Sequence, residues 1–365
     1  MKRRDFIASA AALAAFPKLS FAQQKEFNPK QAEKWRSFEI VTRVELLWPE
    51  GASRVWLPVP AIDDSWQRTV GNSWSGNAAT MRLAYDPKYG AAMLYAEWPE
   101  TEKTPMLELT SRFATRDRAV DLSKPGVVQP LAASDRAFYT APTELMPTDG
   151  IVAKTARDIT RGKRTDVEKA RAIYEWIVDN TERNPKTRGC GVGDIKAMLE
   201  TGNLTGKCAD LNALYVGLAR SAGIPARDVY GVRVAKSEFG YRSLGAGTSN
   251  ITRAQHCRAE VWLAGFGWVP VDPADVRKVV LEERAAPTTL ADPLVPAVRR
   301  KLFGAWEMNW LGYNAAHDIS LPGSRGPKLG FLMYPQAETR KERLDSLDAE
   351  AFQYTITAKE FAQTS

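Results

Sequence analysis

The hydrophobic period changes twice along this chain, and that succession limits what it can fold into. Up to about residue 120, apolar and polar residues alternate. In "SFEIVTRVELLW", Phe38, Ile40, Val44, Leu46 and Trp48 share one face, while Glu39, Arg43 and Glu45 lie mostly on the other. After the turn "PEGAS" come Val55, Leu57 and Val59, and "AAMLYAEW" and "MLELTSRFAT" have similar lengths and turn boundaries. From about Ile151 the period becomes three to four. Thr165 and Glu168 form a capping box ahead of Val167, Ala170, Ile173, Tyr174 and Ile177, and a short helical segment follows over Asp194 to Glu200. Alternation then returns in "ARDVYGVRVA", "QHCRAEVWL" and "WVPVDP". Helices first and sheet afterwards is an α+β order, preceded here by a β-rich, sandwich-like module. The expected divisions are 36–140 for that module, 150–285 for the α+β core and 286–365 for an apolar C-terminal extension packed on the core.

The first 22 residues stand apart. Lys2, Arg3 and Arg4 precede an apolar run from Phe6 to Phe16, with small residues at Ser20 and Ala22. This pattern predicts a twin-arginine export signal, with an apolar run too short to span a bilayer, and a mature protein in the periplasm with no stable membrane insertion. The chain has 50 Lys and Arg against 43 Asp and Glu. Part of that excess falls in the signal, and elsewhere the two signs are interspersed without a basic and aromatic run, so nucleic acid is not an expected partner.

Three cysteines, Cys190, Cys208 and Cys257, are an odd number for an oxidising compartment. Cys190 and Cys257 are read either as a disulfide, leaving Cys208 free, or as buried thiols. Cys208 follows Gly202 and Gly206 and opens an amphipathic helix with an apolar stripe of Leu211, Leu214, Tyr215, Leu218 and Ala222. A helix N-terminus lowers a thiol pKa by placing partial positive charge and free N–H groups beside the sulfur. A base is needed too, and the chain has two histidines. His256 shares the more polar strand face with Arg258, Glu260 and Trp262; His317 lies in no readable motif and is taken as structural or exposed. Asp272, at the end of the next strand, can orient the imidazole, with Asp275 as the fallback and an Asp-Pro turn as the bland alternative. Cysteine on a helix start, histidine on a strand and aspartate on the neighbouring strand is the papain-type arrangement for acyl transfer.

"GKCADLNALYVGLARSAGIPARDVYGVRV", "AQHCRAEVWL" and "GWVPVDPADV" together resemble the three blocks of the transglutaminase-like superfamily, in the order Cys, His, Asp. The resemblance covers roughly 153–280. It implies a papain-like core in which Cys208 is the nucleophile, His256 the base and Asp272 the orienting acid, with no cofactor. It also implies a peptide or protein substrate. Lys207 and Ala209 stand where the animal transglutaminases have glutamine and tryptophan, and no acidic cluster has calcium-ligand spacing. Hydrolysis of a peptide or isopeptide amide is thereby favoured over calcium-controlled crosslinking, and peptidoglycan peptides are among the substrates the periplasm would offer. The alternative is a non-catalytic envelope scaffold of the same fold. A metal site is not expected from two separated histidines and no paired CxxC. Trp262, Trp268, Trp306 and Trp310 are read as core, and Asn203 or Gln255 as a second oxyanion donor beside the Cys208 N–H.

Overall fold

The computed structural model describes residues 25–47 and 49–361. The segment expected to be an export signal, residues 1–22, and Trp48 lie outside these residues. Among the described residues no helix is long and apolar enough to cross a membrane.

Two antiparallel sheets form the sandwich. One has the order Gln353–Phe361, Arg36–Glu45, Met106–Thr115, Gln67–Gly76; the other runs Arg343–Leu344, Gln336–Glu338, Ser53–Pro58, Ala92–Trp98, Thr80–Tyr85. Val44, Leu107 and Leu109 of the first meet Val55, Leu57, Leu94 and Ala96 of the second, which are the inward residues of alternating strands. The second sheet is covered on its outer face as well. There Trp56, Met93 and Tyr95 pack on Ala316, Ile319 and Leu332, so Ser53–Pro58 is buried almost throughout instead of on alternate residues.

The core places helices Gly150–Thr160, Asp166–Asn180 and Cys208–Ser221 against a sheet of order Gly267–Val271, Gln255–Leu263, Ala226–Arg233, Trp310–Asn314. Thr165 caps Asp166–Asn180 with both halves of the capping box in place. The helix Cys208–Ser221 is not amphipathic as expected. It is buried on every side from Cys208 to Arg220, because helices cover it on one side and the strand Gln255–Leu263 on the other. It stops at Gly223, whose φ of +81° a side chain would strain. A helix the sequence reading did not include, Pro273–Glu282, follows the strand Gly267–Val271, with Asp272 as its N-cap.

Residues 286–365 are not one extension packed on the core. Trp310–Asn314 completes the core sheet beside Ala226–Arg233, whereas Gln336–Glu338 and Gln353–Phe361 belong to the sandwich. The last strand pairs with the first along its whole length, from Ser37 with Phe361 to Glu45 with Gln353. Pairing across such a separation leaves no local mark in the sequence, which is why apolar content alone assigned this segment to the core.

Candidate active site

Cys208 is the first residue of its helix, after an extended Lys207. Asp210 ties the approach to the helix. One carboxylate oxygen accepts the Lys207 N–H at 2.9 Å, and the other accepts the N–H groups of Val192 and Gly193 at 2.9 Å each. The Ala209 N–H donates to the Cys190 carbonyl at 2.9 Å. The loop 190–193 is therefore clamped across the helix start and leaves the turn bearing Cys208 little freedom. Gly191 makes the clamp possible: its φ is +97°, and a Cβ there would lie 1.9 Å from the Asp210 carboxylate. Gly191→Ala is expected to cost about 2–4 kcal/mol of stability, read as a lowered midpoint in urea unfolding at an unchanged slope.

His256 sits at the start of the strand Gln255–Leu263 and is buried. Its Nε2 lies 2.7 Å from Asp272 Oδ2 and 3.4 Å from Asp275 Oδ2. Asp272 is held from several directions. Its Oδ1 accepts the Asp275 N–H at 3.1 Å and the Asn212 amide at 3.3 Å, and Arg258 Nε stands 3.6 Å from Oδ2. Asp272 thus caps a helix and engages the histidine at once, so the bland and the catalytic readings of the Asp-Pro turn coexist. Asp275 is committed elsewhere: both of its oxygens accept from Arg233 Nη2, at 2.6 and 2.7 Å. His256, Asp272 and Asp275 have ligand atoms within 4.8 Å of one another, but these arginine partners mark the set as an ion-pair network.

The strand face bearing His256 is polar yet closed. Arg258 and Glu260 are buried, Glu260 pairing with Arg118 and with Arg227 at 2.6 Å. Burial and the Arg233 charge push the His256 pKa down, but Asp275 and Asp272 outweigh them and raise it to about 9. The Cys208 thiol moves the opposite way, held well below its ordinary value by hydrogen bonds from the Cys190 and Cys257 thiols and by His256, against burial. With Nε2 taken by Asp272, Nδ1 is the ring nitrogen left for the thiol. Both shifts favour thiolate and imidazolium over the neutral pair.

All three cysteines are free and buried. The expected alternative of a Cys190–Cys257 disulfide is therefore not realised; both thiols lie in the apolar cluster around Cys208. Cys190 donates instead to the Gln255 carbonyl at 3.4 Å, and burial raises the Cys257 pKa well above that of an ordinary thiol, with the neighbouring thiols adding to the effect. Cys208 and His256 open onto a cavity of about 1200 Å³, walled by the loops 188–190 and 245–254, by 346–355 and by the first strand at Arg43 and Glu45. The sandwich therefore supplies one wall of the cleft.

Residues 153–273 match the model of the transglutaminase-like superfamily. An uncharacterised protein of Haemophilus influenzae is 36% identical over 342 residues, covering 88% of this chain and 91% of that protein. The chain belongs to the transglutaminase-like superfamily. A candidate cysteine protease from Cytophaga hutchinsonii, known from its crystal structure, has the same fold across both units: TM-score 0.50 at 18% identity, covering 90% of this chain and 99% of that one.

In this transglutaminase-like protein the cleft excludes several residues that the sequence left open. Asn203 is exposed and accepts from Thr205, away from the cavity. Gln255 lines the cavity, and its Nε2 is buried without a partner. Trp306 and Trp310 pack with Trp66 beneath the sheet. His317 is buried and bonds Tyr230 Oη at 3.2 Å. The residues missed by sequence are the supports: Asn212, which bonds both the Cys257 carbonyl, at 2.7 Å, and Asp272, and the arginines Arg233 and Arg258. Asn212 stands one helical turn after Cys208, a spacing that puts both on one face and could have flagged it.

Proposed function

We propose that this chain is an exported cysteine acyl-transfer enzyme that cleaves peptide or isopeptide amides, with hydrolysis as its principal outcome. The reading is carried by the buried 2.7 Å contact between His256 and Asp272 beside a cysteine at a helix N-terminus that opens on a substrate-sized cavity. Cys208 attacks the amide carbonyl as thiolate and forms a C–S bond. The His256 imidazolium gives its proton to the nitrogen as the C–N bond breaks, and the amine leaves. His256 then takes a proton from water, which attacks the thioester and releases the acid and the Cys208 thiolate. The Cys208 N–H, at a position with no intrahelical acceptor, and Gln255 Nε2 are the donors assigned to the oxyanion. The first 22 residues support periplasmic placement after removal of a twin-arginine signal, where wall peptides are within reach. No nucleic-acid partner is assigned.

Incubation of the protein lacking residues 1–22 with p-nitrophenyl acetate tests the chemistry. A burst of p-nitrophenolate stoichiometric with enzyme is expected, with one acetyl group on Cys208 by mass spectrometry that hydroxylamine removes. Absence of both the burst and the adduct would leave only a scaffold. Partition between water and added glycine ethyl ester separates hydrolysis from transfer.

The pH profile follows from the two shifts. A raised histidine is charged below its folded value and loses its proton as pH rises through about 9. The lowered thiol loses its proton at a lower pH than an ordinary cysteine. On a peptide amide, kcat/KM is therefore expected to be level near neutrality and to fall above about pH 9, while iodoacetamide alkylation of Cys208 stays fast there. A profile still rising from pH 7 to 9 in both measurements would show an ordinary thiol with no resting ion pair.

A further inference from the structure

The cavity over Cys208 is lined by seven Lys or Arg residues and one acidic residue, Glu45. Four of the seven are matched by carboxylates. Arg43 pairs with Glu45 at 2.6 Å, Arg183 with Glu282, Arg188 with Asp345 at 2.6 Å and Arg233 with Asp275. Three are not matched in this way. Among the described residues, the Lys207 ammonium and the Arg253 guanidinium have no carboxylate within 4.0 Å, and the Lys278 ammonium reaches only Glu282, at 3.9 Å. Burial, and then the neighbouring Arg233, bring the Lys278 ammonium down to about 8, as for a cation short of counter-charge.

These three cations come from three elements that converge on the reacting groups. Lys207 directly precedes the nucleophile, Arg253 lies three residues before His256, and Lys278 is on the helix that Asp272 caps. The cavity is also lined by Tyr334, Phe352 and Tyr354, with Tyr334 in the apolar cluster that holds Cys208. A cavity that offers both unmatched cations and aromatic rings near the reacting cysteine is complementary to an acyl donor carrying both carboxylate and hydrocarbon.

We propose that the acyl donor is an acidic peptide, whose carboxylate next to the scissile carbonyl is bound by Lys207, Arg253 and Lys278. This rests on Cys208 being the nucleophile, and it makes Lys207 a specificity residue in the position where the animal enzymes have glutamine. An uncharged or basic peptide would leave the three cations desolvated and unpaired, so the same side chains also reject it.

The test compares two alkylating reagents of similar size and opposite demand, anionic iodoacetate and neutral iodoacetamide, on the protein lacking residues 1–22. For Cys208 the iodoacetate-to-iodoacetamide rate ratio is expected to be at least about tenfold above that of a free cysteine peptide, and to collapse in 1 M NaCl, where the screening length is about 3 Å. Lys207→Met and Arg253→Met should each lower the ratio about threefold or more. Taking the ratio cancels any change in thiolate reactivity, and Arg253 is exposed, so its variant folds without penalty. The His256 imidazolium also attracts anions, so a ratio unchanged in both variants would overturn the proposal. Triglutamate should protect Cys208 from iodoacetamide at concentrations where trilysine does not, and equal protection would likewise overturn it. Failure of iodoacetamide itself to label Cys208 would instead remove the nucleophile, a separate outcome that defeats the functional reading first.

Discussion

Cys208→Ala is expected to abolish amide turnover, by at least about a thousandfold, while leaving the fold intact. The side chain is small and buried, so its loss removes one sulfur atom's packing and should cost about 1 kcal/mol. The clamp around it does not use the sulfur. Asp210 binds backbone N–H groups, and the Ala209 N–H binds the Cys190 carbonyl, so the helix start keeps its place. Rates on a peptide amide, together with urea unfolding, would check both halves. Turnover surviving at the wild-type level would transfer the chemistry to another residue. Neither neighbouring thiol is suited to replace it: the Cys190 and Cys257 thiols are both held protonated by their surroundings.

The second large effect separates two aspartates three residues apart. Asp272→Asn keeps the shape but loses the charge that favours the imidazolium, and the amide's NH₂ can face Nε2. A rate loss on the order of a thousand- to ten-thousandfold is expected, with the fold retained. Asp275→Asn acts on structure. It leaves the Arg233 guanidinium, 2% exposed, without its carboxylate, and breaking a buried pair by removing one partner costs about 3–5 kcal/mol. Its rate per folded molecule should fall far less. Measured kcat/KM and unfolding midpoints for the two variants should move in opposite orders, and a larger rate loss at Asp275 would make it the orienting acid.

Much of this site was legible because its parts are local. A helix start after a glycine, a strand alternation and an Asp-Pro turn each occupy a few residues, and they mark Cys208, His256 and Asp272, which the fold brings together. What was not legible depends on contacts between distant segments. Arg233 and Arg258 read as ordinary strand residues, and only the arrival of Asp275 and Asp272 from the next helix makes them buried counter-charges. The helix Cys208–Ser221 looked one-sided because its polar residues, Asp210, Asn212 and Arg220, have a sequence character that implies solvent. Each instead meets a partner group in the interior. The final strand could not be assigned for the same reason, since its partner is the first strand of the chain.

That pairing of last strand with first has a consequence for when the protein can become active. One wall of the cleft, residues 346–355, runs into the strand Gln353–Phe361, which is anchored on Arg36–Glu45. Cys208 and His256 are synthesised long before that wall exists, and closing so long a loop is an entropically late event. A ribosome-bound chain would hold Cys208 and His256 but only an open half of the cleft. The cleft is thus enclosed only once residues 346–361 have been made and paired with Arg36–Glu45.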